Sequence, residues 1–156
     1  MPHGRPALDG IRILDFTRAQ QGPFATMLLC DMGAEVIKVE PPGGEQGRAN
    51  GLGPDGFSSY FEGHNRGKRS ITLDLRVAEA IDIVRRLVPS CDVVVENFRP
   101  GVMEAMGLGY ESLRLLRPDI ILASASAWGR SGPWAERPGY DHVAQALSGV
   151  MYEQGE

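Results

Sequence analysis

The sequence predicts a doubly wound α/β domain built on a mostly parallel sheet. Short β-branched runs alternate along the chain with stretches of helical periodicity, and glycine or proline marks most of the junctions between them. Length sets the third bound, because 156 residues, 42% of them hydrophobic, can bury one core but not two.

Residues 11–16 carry aromatic and β-branched side chains in crude alternation and read as the first strand. A polar stretch, 17–22, leads to Pro23, which suits a first helical position, and 24–32 read as a helix closed by Gly33 at its C′ site. The run EVIKV at 35–39 is the next strand, and β-α-β order implies parallel pairing. Residues 41–56 hold six glycines and three prolines, too many for a regular element, so they form a long surface loop. A short strand follows at 70–73. Residues 77–88 put Ala80, Ile81, Val84, Leu87 and Val88 on one helical face, and DVVVE at 92–96 is typical of a buried parallel strand. Arg99, Pro100 and Gly101 break the chain before a helical turn at 102–106, an amphipathic helix at 110–116 stopped by Pro118, and a strand at 120–124. A second Gly/Pro loop at 129–139 precedes a helix at 141–151, which Asp141 is suited to cap.

Composition removes several functions. With 16 Lys+Arg against 20 Asp+Glu the net charge is −4, and no basic run exceeds the pairs Lys68-Arg69 and Arg85-Arg86, so a nucleic-acid partner is not expected. The start MPHGRPALDG lacks a leader's apolar run and nothing approaches the ~18 apolar residues of a membrane span. The expectation is a cytoplasmic protein. Cys30 and Cys91 lie in apolar segments, as reduced packed thiols do, and His3, His64 and His142 share no ligand spacing with them, so no metal site is expected.

The run GLGPDG at 51–56 spells G-x-G-x-x-G, but a dinucleotide fingerprint must follow a strand directly and open a helix, and this one does neither. More informative are the loops at the carboxyl ends of parallel strands, where open α/β sheets bind ligands. After the first strand come Gln20 and Gln21, two neutral donor-acceptor groups; after DVVVE come Asn97, Phe98 and Arg99, an amide, an aromatic face and a guanidinium suited to an adenine and its phosphates. Asp74 reads as a helix cap or a site residue, and Asp141 as a cap or a catalyst.

A longer series of motifs adds to these loops: LDGIRILDF at 8–16, GP at 22–23, MGAEVIKVE at 32–40, NRGKRSI at 65–71, LDL at 73–75, VENFRPG at 95–101, GLGY at 107–110, GYD at 139–141 and QALSG at 145–149. In this order they resemble the N-terminal part of the family III CoA-transferases, the group that includes formyl-CoA transferase and carnitine CoA-transferase. The resemblance implies that residues 1–156 are the CoA-binding portion of a Rossmann-like large domain, a partial copy of it with the remainder of the family's chain absent. By the same resemblance Gln20 and Gln21 line the thioester end, with Gln20 an accessory group beside the acyl carbon. Leu73, Asp74, Leu75 and Arg76 border the adenosine. Asn97, Phe98 and Arg99 meet the adenine and phosphates, and Tyr140 and Asp141 lie along the CoA chain.

Coenzyme A and acyl-CoA are then substrates, with a small carboxylic acid as the other partner and no covalently bound cofactor. The family forms interlaced homodimers and uses an aspartate nucleophile, passing through a mixed anhydride and an aspartyl-CoA thioester. That aspartate is expected beyond Glu156, so this chain is expected to lack turnover. Two departures concern charge: Pro41 and Ala105 stand where many members carry a basic residue, with Arg48, Arg76 and Arg99 as candidate substitutes. Two alternatives stay open: an α-methylacyl-CoA racemase, whose histidine position is Tyr140 here, and a non-catalytic CoA-binding module or remnant.

Overall fold

Five short strands, all parallel, carry the fold in a computed structural model that describes residues 4–155. His3 lies outside the described residues, as do the first residues of the start read above and Glu156. In chain order the elements are β1 (Arg12–Asp15), α1 (Gln21–Asp31), β2 (Glu35–Glu40), a 3₁₀ turn (Gln46–Ala49), α2 (Ser59–Asn65), β3 (Arg69–Thr72), α3 (Ala78–Leu87) running into a second 3₁₀ turn (Val88–Ser90), β4 (Val93–Glu96), α4 (Val102–Ala105), α5 (Tyr110–Leu116), β5 (Ile121–Ser124), α6 (Asp141–Ser148) and α7 (Val150–Glu153).

The sheet order is β3-β2-β1-β4-β5. Leu14 pairs with Ile37 on one side and Val94 on the other, so β1 is central and the direction of winding reverses between β1 and β4. Successive side chains of a strand point to opposite faces, and the buried apolar residues divide into two clusters accordingly. Ile13, Val36 and Val95 pack with Ala34 and with Leu29 of α1 on one face; Leu14, Val39 and Val94 pack on the other with Val84 of α3, Met103 of α4 and Leu113 of α5. This is the doubly wound arrangement the sequence predicts.

Two glycines are required by geometry. Gly33 has φ +104° and closes α1 in a Schellman motif, its N–H donating to Cys30 O at 2.9 Å and that of Ala34 to Leu29 O at 3.0 Å. Gly22 lets the first turn of α1 approach the loop after β1, since a Cβ there would stand 2.4 Å from the Thr17 Cβ.

Several expectations are corrected. Helix α1 begins at Gln21, so Pro23 is not its first residue; it is tolerated because first-turn N–H groups have no helical acceptor. Between the long loop and β3 lies α2, capped by Ser58 Oγ accepting from Phe61 N at 2.9 Å. The expected helix at 141–151 is broken at Gly149, φ +84°. Neither aspartate is a cap: Asp141 is the first residue of α6 and bonds Gln145, and α3 is preceded by Val77, three residues past Asp74.

Leu14 is fully enclosed in the central strand whereas Leu115 of α5 is 88% exposed. Leu14→Ala is expected to destabilise the chain by about 2–5 kcal/mol in urea unfolding and Leu115→Ala by less than about 0.5 kcal/mol.

Candidate functional site

In an open α/β sheet the crevice at the carboxyl ends of the strands, where the winding reverses, is the natural place for a ligand. Here the loops that leave β1 and β4 flank that crevice, and two adjoining clefts open there. The larger, about 890 Å³, is lined by Gln20, Gln21, Asn97, Phe98, Arg99, Tyr140 and Asp141 of the sequence-predicted residues. The smaller, about 340 Å³, is lined by Leu73, Asp74, Leu75, Arg76 and Phe98. Arg18 and Phe98 border both, with the guanidinium carbon of Arg18 5.0 Å from the Phe98 ring centroid. The structure therefore brings all the predicted residues to one edge of the sheet, in two groups.

Their availability differs. Gln20, Gln21 and Arg99 are exposed, whereas Leu73 is a core residue. Asp74 accepts from Arg76 N at 3.1 Å and from its Nε at 2.8 Å, an Asx turn closed by a side-chain pair. That pairing with Arg76 holds the Asp74 carboxyl down at about 2. Asn97 is engaged as well: its Oδ1 accepts from Arg18 N at 2.8 Å and its Nδ2 donates to Arg18 O at 2.9 Å. The two bonds clip the β1 loop to the β4 loop.

Beneath the clefts lies a polar network that sequence reasoning missed. Asp15 and Thr17 are completely buried. Asp15 Oδ1 accepts from Thr17 N at 2.8 Å and from its Oγ1 at 2.5 Å, and Oδ2 accepts from Thr26 Oγ1 at 2.7 Å and Lys68 Nζ at 3.0 Å. Lys68 Nζ donates also to Pro23 O and Asn65 Oδ1, both at 2.9 Å, so all three of its donors are used. Burial pulls the Lys68 ammonium below its ordinary value, with the Asp15 charge opposing. Lys38, buried in β2, reaches Thr17 O at 2.8 Å.

This network holds a strained segment. Ala19, at φ +63°, is the one non-glycine residue at positive φ among the described residues, a conformation that costs roughly 1–3 kcal/mol. Its N–H donates to Glu45 Oε2 at 2.9 Å, and Glu45 is itself buried with Oε1 unpartnered. The clip through Asn97 and the tie through Glu45 together fix the backbone just before Gln20.

Of the three arginines expected to replace missing charges, Arg48 is corrected. It donates to Glu40 Oε2 at 2.7 Å and Oε1 at 2.8 Å and stacks 3.7 Å from the Phe61 centroid, so it supports the floor. Arg76 is paired with Asp74, and only Arg99 of the three has no ion pair among the described residues. Arg18 and Arg137, which the sequence reading did not choose, line the larger cleft, likewise with no ion pair among the described residues. The signal for the missed floor was a lysine and a glutamate inside an otherwise apolar parallel strand, since such groups are rarely buried unless paired. The run GLGPDG lies beyond the 3₁₀ turn, with Leu52 bridged to Ser58. Among the described residues no group of three or more His, Cys, Asp or Glu side chains could hold a metal ion, and no helix is long and apolar enough to cross a membrane.

Residues 8–156 match the family model described as CoA-transferase family III. A succinate–glutarate CoA-transferase of Agrobacterium fabrum is 45% identical over 164 residues, taking in 100% of this chain and 41% of that protein. The human succinyl-CoA:glutarate CoA-transferase is 47% identical over 152 residues, covering 95% of this chain and 34% of its own. A Brucella suis protein solved as a CAIB/BAIF family member superposes with a TM-score of 0.88 at 44% identity, over 95% of this chain and 40% of that one. The chain spans about two fifths of the length of the curated relatives it matches.

Burial alone would raise the Glu40 carboxyl, but the Arg48 and Ser70 hydrogen bonds, the Glu45 N–H and the Arg48 charge outweigh it and hold the group at about 2. A folded value below the unfolded one stabilises the chain above about pH 4.5 and loses that contribution as pH falls toward 2. Arg48 is half-exposed and solvent screens part of the pairing, so the contribution is on the order of 2 kcal/mol. Glu40→Gln is expected to be less stable at pH 7 in urea unfolding, with the gap to the parent narrowing as pH falls from 4.5 toward 2.

Proposed function

This chain belongs to CoA-transferase family III, and from that premise we propose that it forms the CoA-binding N-terminal part of an enzyme moving CoA between an acyl-CoA and a free carboxylic acid. The observation that carries the reading is the crevice between β1 and β4. It offers neutral amides at Gln20 and Gln21 together with guanidiniums at Arg18 and Arg99, free of ion pairs among the described residues, beside the Phe98 face. An acyl thioester needs hydrogen-bond donors without a competing nucleophile, and the phosphates of CoA need guanidinium groups that no carboxylate has already neutralised. Arg76 and Leu75 in the smaller cleft suit the adenosine end, and Tyr140 and Asp141 suit the chain between.

In this reading Gln20 donates to the acyl carbonyl as charge develops on it, and the fixed backbone at Ala19 keeps that donor preorganised. Asn97 acts by holding Arg18 rather than by touching the ligand, which revises the adenine contact inferred from resemblance. The nucleophile is an aspartate that we assign to the part of the family's chain beyond Glu156, where it would form the mixed anhydride and then the aspartyl-CoA thioester. On this reading residues 1–156 by themselves are expected to be inactive in transfer, and the whole enzyme is expected to act as a homodimer in the cytoplasm. The names of the relatives carry succinate and glutarate, which favours a short dicarboxylic acid as substrate and transfer over racemisation.

Calorimetric titration of the chain with CoA tests this. Binding is expected, and Arg99→Ala should weaken it by about tenfold, the loss of one charge-assisted contact worth about 1.5–3 kcal/mol in part replaced by Arg18. Acyl transfer by the purified chain, or an acyl-enzyme trapped on it with hydroxylamine, would overturn the assignment of the nucleophile.

A further inference from the structure

One end of the larger cleft is chemically unlike the other. Gln20 just before α1 and Gln21 and Phe24 in its first turn line this end, the 3₁₀ turn contributes Gln46, and α2 contributes Tyr60 and His64. None of the groups from α1 or the 3₁₀ turn is charged, and the guanidiniums that line the cleft, Arg18, Arg99 and Arg137, come from other segments. Among the described residues that line this end, His64 is thus the one side chain able to become a cation.

Its ring is held in a defined way. Nδ1 lies 2.7 Å from Tyr60 O. A carbonyl can only accept, so Nδ1 carries a proton and donates it. The ring lies tilted against Tyr60 with centroids 4.5 Å apart and meets Phe24 edge-on at 6.0 Å. Nε2 is then turned away from the helix backbone and has no partner among the described residues. Neutral, that nitrogen presents a lone pair; protonated, it presents an N–H donor on a delocalised cation, and an anion placed there selects the second form. Tyr60 stays a neutral donor beside it, because burial and the Glu45 carboxylate push its phenol up.

We infer that His64 is a specificity-determining residue that recognises the distal carboxylate of a dicarboxylic acyl group whose thioester lies at Gln20. The inference rests on the reading of the crevice as a CoA site. Gln20, at the start of α1, and Phe24, one turn further along it, are on the same wall, and Phe24 abuts the His64 ring, so a short chain leaving the thioester runs along Phe24 toward Nε2. An acyl chain ending in methyl finds the aromatic wall but leaves Nε2 unused, whereas one ending in carboxylate gains a charge-assisted bond.

The test is a calorimetric titration of the chain with CoA, butyryl-CoA and succinyl-CoA, the last two matched in acyl length and differing in the terminal group. Succinyl-CoA is expected to bind about tenfold more tightly than butyryl-CoA, and His64→Leu to bring that ratio to about one. Equal binding of the two thioesters by the parent chain overturns the inference, as does a preference that survives in His64→Leu. If CoA itself does not bind, the reading of the crevice fails first and the inference falls with it. A second readout needs no substitution: the ¹⁵N resonances of the His64 imidazole are expected to move to the doubly protonated pattern with succinyl-CoA and not with butyryl-CoA, and the same response to both contradicts the assignment.

Discussion

The site depends on one buried ion pair. Lys68 and Asp15 meet at 3.0 Å with side chains 2% and 0% exposed, at the point where β1, the first turn of α1 and the end of α2 converge. Burying two charges is unfavourable unless every lone pair and proton is used, and here they are: Asp15 also takes Thr17 and Thr26, and Lys68 also takes Pro23 O and Asn65. Removing either partner would leave a charge stranded in the floor of the crevice. The pair therefore acts as a fixed anchor from which the loop after β1 springs.

From that anchor the polar residues sort into two levels. The lower level holds backbone: Asn97 clips Arg18, Glu45 ties Ala19, Lys38 reaches Thr17, and Arg48 closes over Glu40. The upper level faces the clefts and has few partners of its own, with Gln20, Gln21, Arg18 and Arg99 exposed. A positive φ at Ala19 is tolerable only because the lower level over-determines it, and what it achieves is a particular presentation of Gln20. Rigidity below and availability above are what a site needs if its donors are to be in position before the ligand arrives.

The elements were legible where periodicity and punctuation agree. The limits of α5 were legible in its amphipathic pattern and Pro118, and the end of α1 in Gly33. Helix α2 was not, because Gly63 lies in its middle and the Gly-rich loop before it masks the cap at Ser58. Gly149 likewise splits what composition joins. At the site, the strand-end loops were legible because parallel sheets bind ligands there whatever the sequence. The floor was not, because its partners are remote in the chain: Lys68 and Asp15 are 53 positions apart and Asn97 and Arg18 are 79 apart. Arg48 shows the same limit from the other side, a guanidinium that looks available in the sequence and is enclosed by Glu40 and Phe61 in the fold.

The central claim is that coenzyme A occupies the crevice between the ends of β1 and β4. Hydrogen exchange of the chain with and without saturating CoA tests it most directly, because it reports backbone protection segment by segment. New protection is expected, concentrated in the loops at 17–21 and 97–101. Protection confined to the Gly-rich segment at 51–56, or unchanged exchange in both loops under conditions where CoA is bound, would contradict it.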